Sequence, residues 1–185
     1  MIAVTNSLTL EDFLKLPETK PVCEYINGKI FEKPMPKSKH SLLQSELCMV
    51  INTVSKPQKI AYAFPELRCT FGERSLVPDL AILRWENIKF DEEGIPLDDV
   101  YIAPDWVIEI FSPDQSSNRV TANIAHCLKF GCQMGWLIDP KDRSILMMMP
   151  DQVPELYQED DLLVFIEKIN LSLTANDVFN WLKLD

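Results

Sequence analysis

Two short apolar runs, Val77-Pro78-Asp79-Leu80-Ala81-Ile82-Leu83 and Trp106-Val107-Ile108-Glu109-Ile110-Phe111, each enclose one carboxylate. Runs that are apolar at nearly every position suit strands of a sheet covered on both faces, so this chain needs a layer on each side of a central sheet. An ionised side chain inside such a strand needs a partner or a cation. If the two strands are neighbours, Asp79 and Glu109 can point to one face and share a divalent metal. Val107, Glu109 and Phe111 alternate on one side of their strand, which gives Glu109 a defined face. Pro78 permits an edge position or a bend at the start of the first strand.

Around these runs helix and strand patterns follow one another. Residues 7–14 read as a short helix capped by Thr9 or Ser7, with acids in the first turn. Residues 23–32 read as a hairpin, because Asn27-Gly28 between apolar alternations favours a tight primed turn. In 38–54, Leu42, Leu43, Leu47, Val50, Ile51 and Val54 recur at three- and four-residue intervals. They predict a long helix with Gln44, Ser45 and Asn52 on other faces. Residues 60–64, 67–71 and 76–83 are strand-like, 86–99 form a polar acidic excursion, and 106–111 resume as a strand. A turn at 112–117 leads to a second helix, 118–130, whose stripe of Val120, Ile124, Cys127 and Leu128 is closed by Gly131. Residues 135–140 and 144–149 read as a buried hairpin, with Met147-Met148-Met149 in the core. Residues 162–166 and 170–173 are expected as edge strands, and 175–184 as a closing helix with Val178, Phe179 and Leu182 inward. No repeat or linker divides 1–185, so one domain is expected. It is an α/β sandwich: a mixed central sheet flanked by helices, with an N-terminal hairpin extension.

At 185 residues, 46% hydrophobic and 25% charged, the chain suits a globular protein with a sizeable core. No apolar stretch reaches the roughly 18 residues of a membrane span, and the first residues lack the basic-then-apolar order of a secretory signal. The cytoplasm is therefore the expected location. The five cysteines include no CxxC pair and sit mostly among apolar neighbours, which suits reduced, buried thiols. Cysteine chemistry is poorly served, because His126 adjoins Cys127 on a helix and so faces another way. The net charge of −10 argues against a protein that coats nucleic acid through a broad basic surface. It leaves open an enzyme with a local basic rim and a bound metal, since Asp91-Glu92-Glu93 and Glu159-Asp160-Asp161 read as solvated loops.

Val77-Pro78-Asp79, Val107-Ile108-Glu109-Ile110 with Ser112-Pro113, and Gly135-Trp136-Leu137-Ile138-Asp139-Pro140 follow one another in a set order. Together with Glu24-Tyr25-Ile26-Asn27-Gly28 and Lys39-His40-Ser41, they resemble the Uma-two family of restriction endonucleases, within the PD-(D/E)XK nuclease superfamily. The likeness covers nearly the whole chain. It implies a restriction-endonuclease-like fold, a Mg²⁺-dependent site in which Mn²⁺ can substitute, DNA as substrate, and a homodimer. By position, Asp79 resembles the superfamily's aspartate and Glu109 its second acid. Both would be metal ligands, with the Ile110 carbonyl as a third. The superfamily's lysine normally lies two residues past the second acid, and here that position is Phe111. Arg119 and Lys129, on the following helix, are the nearest cations in sequence. Arg119 stays protonated and makes a poor base, but it can orient a phosphate. Lys129 is a substrate-binding candidate.

Other residues carry two readings each. His40, at the start of the first long helix, is either a phosphate contact or a surface or capping histidine. Glu24 either lines the site from the hairpin or serves a salt bridge at a strand edge. Glu46 is an accessory acid or part of a solvated helix face. Glu66 pairs with Arg68 or lies near Asp79, and His126 reads as structural. Phosphodiester hydrolysis needs an activated water and neutralised charge, both of which a carboxylate-held metal supplies. The leading expectation is a metal-dependent DNA endonuclease. The alternative, motivated by Phe111 at the lysine position and by the acidic charge, is a catalytically impaired nuclease fold acting as a DNA-binding or protein-interaction module.

Overall fold

The computed structural model describes residues 8–112 and 115–184. Asn27 and Gly28 take φ of 51° and 82°, as a primed two-residue turn requires. They join β1 (Cys23–Ile26) to β2 (Lys29–Glu32) with Glu24 opposite Phe31. Ahead of this hairpin, the Thr9 hydroxyl accepts from the Asp12 N–H and caps α1 (Leu10–Leu14). The alternative cap, Ser7, lies outside the described residues. α2 (Ser38–Ser55) buries His40, Leu43, Leu47 and Ile51 on one stripe.

The hairpin is more than an extension. β1 also pairs with β5 (Arg74–Leu76), and β5 with β4 (Cys69–Phe71), to give an antiparallel sheet in the order β2-β1-β5-β4. The larger sheet contains β3 (Ala61–Pro65), β6 (Leu80–Arg84), β7 (Trp106–Ile110), β8 (Met134–Asp139), β9 (Ser144–Met148) and β10 (Glu155–Gln158). Its order is β10-β9-β8-β7-β6-β3, mixed because β7 and β8 run parallel. α3 (Ser117–Lys129) makes the crossover between those two strands, and α4 (Ala175–Asn180) packs beside α2.

Two expectations change. The run 76–83 is not one strand: Leu76 ends β5 in the small sheet and Leu80 begins β6 in the large one. Pro78 has no N–H to give a ladder, and Val77-Pro78-Asp79 crosses between the sheets. Nor do 162–166 and 170–173 form edge strands. Leu162 makes an isolated bridge with Thr174, while Leu163, Ile166 and Ile169 turn into the core at three-residue spacing. The edge is β10, whose Glu155-Leu156-Tyr157-Gln158 is mostly exposed and shows no apolar periodicity.

Side-chain parity divides the large sheet's neighbours. Leu80, Ile82, Trp106, Ile108, Ile110, Trp136 and Ile138 fill the core shared with α2 and α4. Ala81 and Val107 fill the one shared with α3 and the small sheet. Leu80 pairs with Ile108 and Ala81 with Val107, so positions 79 and 109 fall opposite each other on the second face. Among the described residues, no helix is long and apolar enough to cross a membrane.

Gly135 sets how closely α3 approaches. A Cβ there would clash with Ile124 Cγ2 and meet Val107 Cγ1 at 3.4 Å. Gly135→Ala is therefore expected to cost about 1–3 kcal/mol through overpacking, read as a lower urea midpoint; an unchanged midpoint would mean that α3 does not pack this tightly. All five cysteines are free. Burial pushes the Cys69 and Cys132 thiols up to about 12 and raises Cys127 as well. A thiol-specific disulfide reagent at pH 8 is expected to spare these three in the native protein and to reach all five once it is denatured.

Candidate active site

Side chains from three elements hold the segment Val77-Pro78-Asp79. Glu24 on β1 accepts from the Val77 N–H at 2.9 Å. Lys33, just past β2, donates to the Val77 carbonyl at 2.8 Å. Gln44 on α2 donates to the Asp79 carbonyl at 2.8 Å, which also accepts from the Glu66 N–H at 3.2 Å. Thus the backbone groups that leave the ladder at Pro78 find partners.

The Asp79 carboxylate is bonded through both oxygens. Oδ2 accepts from the Ile110 N–H at 2.7 Å and lies 3.0 Å from His40 Nε2. Oδ1 accepts from Lys33 Nζ at 2.7 Å, and the same ammonium reaches Glu109 Oε2 at 3.3 Å. Glu24 adds a third carboxylate, its Oε2 accepting from Asn123 Nδ2 on α3 at 3.2 Å. Glu24 and Glu109 are 4% exposed and Asp79 is 2% exposed. Three acids at this depth face one lysine and one histidine.

Burial raises the Glu109 carboxyl well above its ordinary range; the Lys33 ammonium opposes this, and Asp79 and Glu24 add to it. Glu24 is raised too, chiefly by burial. Burial pushes Asp79 the same way, but the Lys33 ammonium and the His40 contact outweigh it and hold this carboxyl well below the usual range. Lys33 is the mirror case: burial favours its neutral form, and the carboxylates of Glu109, Asp79 and Glu24 hold it firmly protonated.

The hairpin explains why Lys33 is here. Its N–H donates to the Val22 carbonyl at 2.9 Å, one step beyond the Cys23–Glu32 pair. Glu24 faces Phe31, and Lys33 follows Phe31 by two residues, so all three share one face of the hairpin. Sequence reasoning missed Lys33, Gln44 and Asn123. The Asn27-Gly28 turn carried the signal for Lys33, because it fixes the register that sets a lysine beside Glu24.

The remaining candidates separate. Asp79, Glu109 and the Ile110 peptide come together. His40 is buried against Asp79 rather than on the surface. Arg119 lies with Glu24, Lys33, Glu109 and Asn123 around a cavity of about 80 Å³, its guanidinium 4.8 Å above the Phe31 ring. Lys129 sits at the other end of α3, roughly 15 Å along the helix axis from Arg119, with its ammonium 5.8 Å from the Phe130 ring. The nearest cation to the acids is therefore Lys33, not Arg119 or Lys129. Among the described residues, no hydrogen bond ties Glu46 to the cluster. Glu66 contributes its backbone N–H, while Arg68 pairs with Glu18 at 2.8 Å. His126 stacks on Phe71 with centroids 5.2 Å apart, in the structural role expected of it.

The donor set suits a hard cation. It consists of carboxylate oxygens, with the Ile110 peptide adjoining, and contains no sulfur. The Lys33 ammonium already stands between Asp79 and Glu109, a monovalent cation among three acids. Among the described residues, no three acids, histidines or cysteines converge as a metal cage in this arrangement.

The family model Uma2, described as "Putative restriction endonuclease", matches residues 10–181. No curated protein matches the chain. A solved structure described as a putative nuclease belonging to DUF820, from Anabaena variabilis ATCC 29413, is 54% identical. The match covers 95% of this chain and 99% of that one, with a TM-score of 0.91. The fold is thus the mixed α/β, restriction-endonuclease-like one, and the likenesses support nuclease function.

The opposite displacements of Asp79 and Glu109 have opposite consequences for stability. A depressed carboxyl stabilises the fold above its ordinary titration near pH 4 and ceases to do so as pH falls. A raised one burdens the fold as pH climbs past that point. In EDTA at pH 8, Asp79→Asn is expected to lose about 3–5 kcal/mol, as when one partner leaves a buried pair. Glu109→Gln is expected to gain stability at pH 8, with the gain fading towards pH 4. Urea denaturation at the two pH values checks both, and a Glu109→Gln protein weaker than wild type at pH 8 would contradict the assignment.

Proposed function

The chain belongs to the Uma2 family, and on that footing we propose that it is a divalent-metal-dependent endonuclease that hydrolyses DNA phosphodiester bonds. One observation carries the reading: Lys33 Nζ lies 2.7 Å from Asp79 and 3.3 Å from Glu109. Two acids and a lysine are the polar set that such a nuclease needs, and the hairpin supplies the lysine that position 111 lacks.

Asp79 and Glu109, with the Ile110 carbonyl, would hold Mg²⁺, for which Mn²⁺ substitutes. When bound, the ion supplies a Lewis acid and an acidified water. Lys33 Nζ, between the two acids, is placed to neutralise charge that grows on the phosphate. His40 and the Ile110 N–H fix the orientation of the Asp79 carboxylate. Arg119, in the wall of the cavity of about 80 Å³, orients a phosphate through its guanidinium. Lys33 weighs against one ground for a catalytically impaired scaffold, the lysine missing at position 111; the net charge of −10 is the other.

Plasmid cleavage in Mg²⁺ or Mn²⁺ tests the proposal. Lys33→Met, Asp79→Asn and Glu109→Gln are each expected to lose about 100-fold or more in rate. Equal cleavage by all four preparations would indicate a contaminant and remove the assignment. Calorimetric Mn²⁺ binding by wild type with no cleavage under any condition would install the scaffold reading instead.

A further inference from the structure

An ammonium has three N–H donors and no acceptor. Lys33 commits all three, to the Val77 carbonyl at 2.8 Å, Asp79 Oδ1 at 2.7 Å and Glu109 Oε2 at 3.3 Å. In this arrangement no donor remains to meet a phosphate. The three bonds are unequal. Charge-assisted N–H···O bonds are shortest, about 2.7–2.9 Å, when they are strong, so the Glu109 contact is the weak member of the set.

The carboxylates are unevenly served as well. Glu24 accepts from the Val77 N–H through Oε1 and from Asn123 Nδ2 through Oε2. Asp79 Oδ2 takes the Ile110 N–H and contacts His40, while Oδ1 takes Lys33. Among the described residues, Lys33 Nζ is the one donor bonded to the Glu109 carboxylate. Glu109 is therefore the acid held least by the rest of the protein, and the one with most to gain from a second cation. Beside this pair lies the cavity of about 80 Å³, with Lys33, Glu109 and Arg119 in its wall. The Lys33 side chain keeps 13% of its surface exposed, so it has open space to turn towards.

We propose that Lys33 is an internal counter-ion which gives up Glu109 to an incoming divalent cation, keeps the Val77 carbonyl, and turns the freed donor into the cavity beside Arg119. An ammonium and a divalent ion repel each other strongly at the spacing of one shared carboxylate, so the two compete for Glu109. The same lysine then opposes binding of the metal and serves the phosphate. Its charge reaches the phosphate only once the ion is in place, which ties the two parts of the site into one order of assembly. The exchange involves hydrogen bonds and coordination alone, with no covalent step. The inference rests on the reading of the cluster as a nuclease metal site.

Calorimetric titration with Mn²⁺ and amine labelling read by mass spectrometry test it, and neither depends on cleavage. Lys33→Met removes the competing charge and keeps an unbranched side chain. It is expected to bind Mn²⁺ about 10-fold more tightly than wild type, or better, because a like charge beside the ion is gone. The second measurement needs no variant to fold. In wild type, reductive methylation of Lys33, scaled to the exposed Lys29 on the same hairpin, is expected to quicken several-fold at saturating Mn²⁺. The exchange is overturned if Lys33→Met binds Mn²⁺ no more tightly than wild type, or if Lys33 labelling does not move when the ion binds. Either result alongside Asp79-dependent cleavage would leave the nuclease standing. Tighter binding by Lys33→Met and faster labelling, with no cleavage by wild type in any metal, would keep the exchange and remove the nuclease. Mn²⁺ binding by neither protein removes both.

Discussion

Everything at this site depends on one buried ammonium. Lys33 directs its donors to the Val77 carbonyl, Asp79 and Glu109, and so bridges the turn that leaves the small sheet and the strand at the centre of the large one. Removing a charge from water costs several kcal/mol unless a partner of opposite sign is at hand. Glu24, Asp79 and Glu109 share one such partner, and the shortage of positive charge shows in their behaviour: Asp79, closest to the ammonium, stays ionised, while Glu24 and Glu109 are driven towards protonation. A divalent cation would relieve that imbalance.

The rest of the architecture holds this arrangement in place. Antiparallel pairing of β6 with β7 sets Asp79 across from Glu109, and parallel pairing of β7 with β8 leaves room for α3 to cross above them. Gly135 lets Ile124 descend onto the sheet, and Asn123, its neighbour on the helix, reaches Glu24. On the other side, His40 extends the stripe of Leu43, Leu47 and Ile51, so the packing that seats α2 also presses an imidazole against Asp79. Core packing and the polar cluster are therefore set by the same helices.

Much of this was legible in the sequence. The Asn27-Gly28 turn, the stripes of α2 and α3, the two-sided burial of β7 and the shared face of Asp79 and Glu109 all follow from local rules of period and turn chemistry. What escaped was long-range. Lys33 lies 46 and 76 residues from its acidic partners, and the Phe31-Glu32-Lys33-Pro34 segment looks like the end of any hairpin. The break at Pro78 was hidden because apolar residues continue on both sides of it, though they belong to different sheets. β10 was missed because an exposed edge strand has no need of alternation, and 162–166 misled because its apolar residues serve an irregular wrap around the core. His40 shows the opposite case: its place in an apolar stripe was a local signal that it would be buried.

The division of the cluster between two sheets has a consequence for how the molecule matures. Glu24 and Lys33 arrive on the hairpin, Asp79 on the crossing between the sheets and Glu109 on β7 of the large one, and neither layer alone holds a complete set. A half-assembled chain would hold Asp79 and Glu109 without Lys33, or Lys33 with Glu24 alone. The cluster is complete only where the hairpin docks against the large sheet.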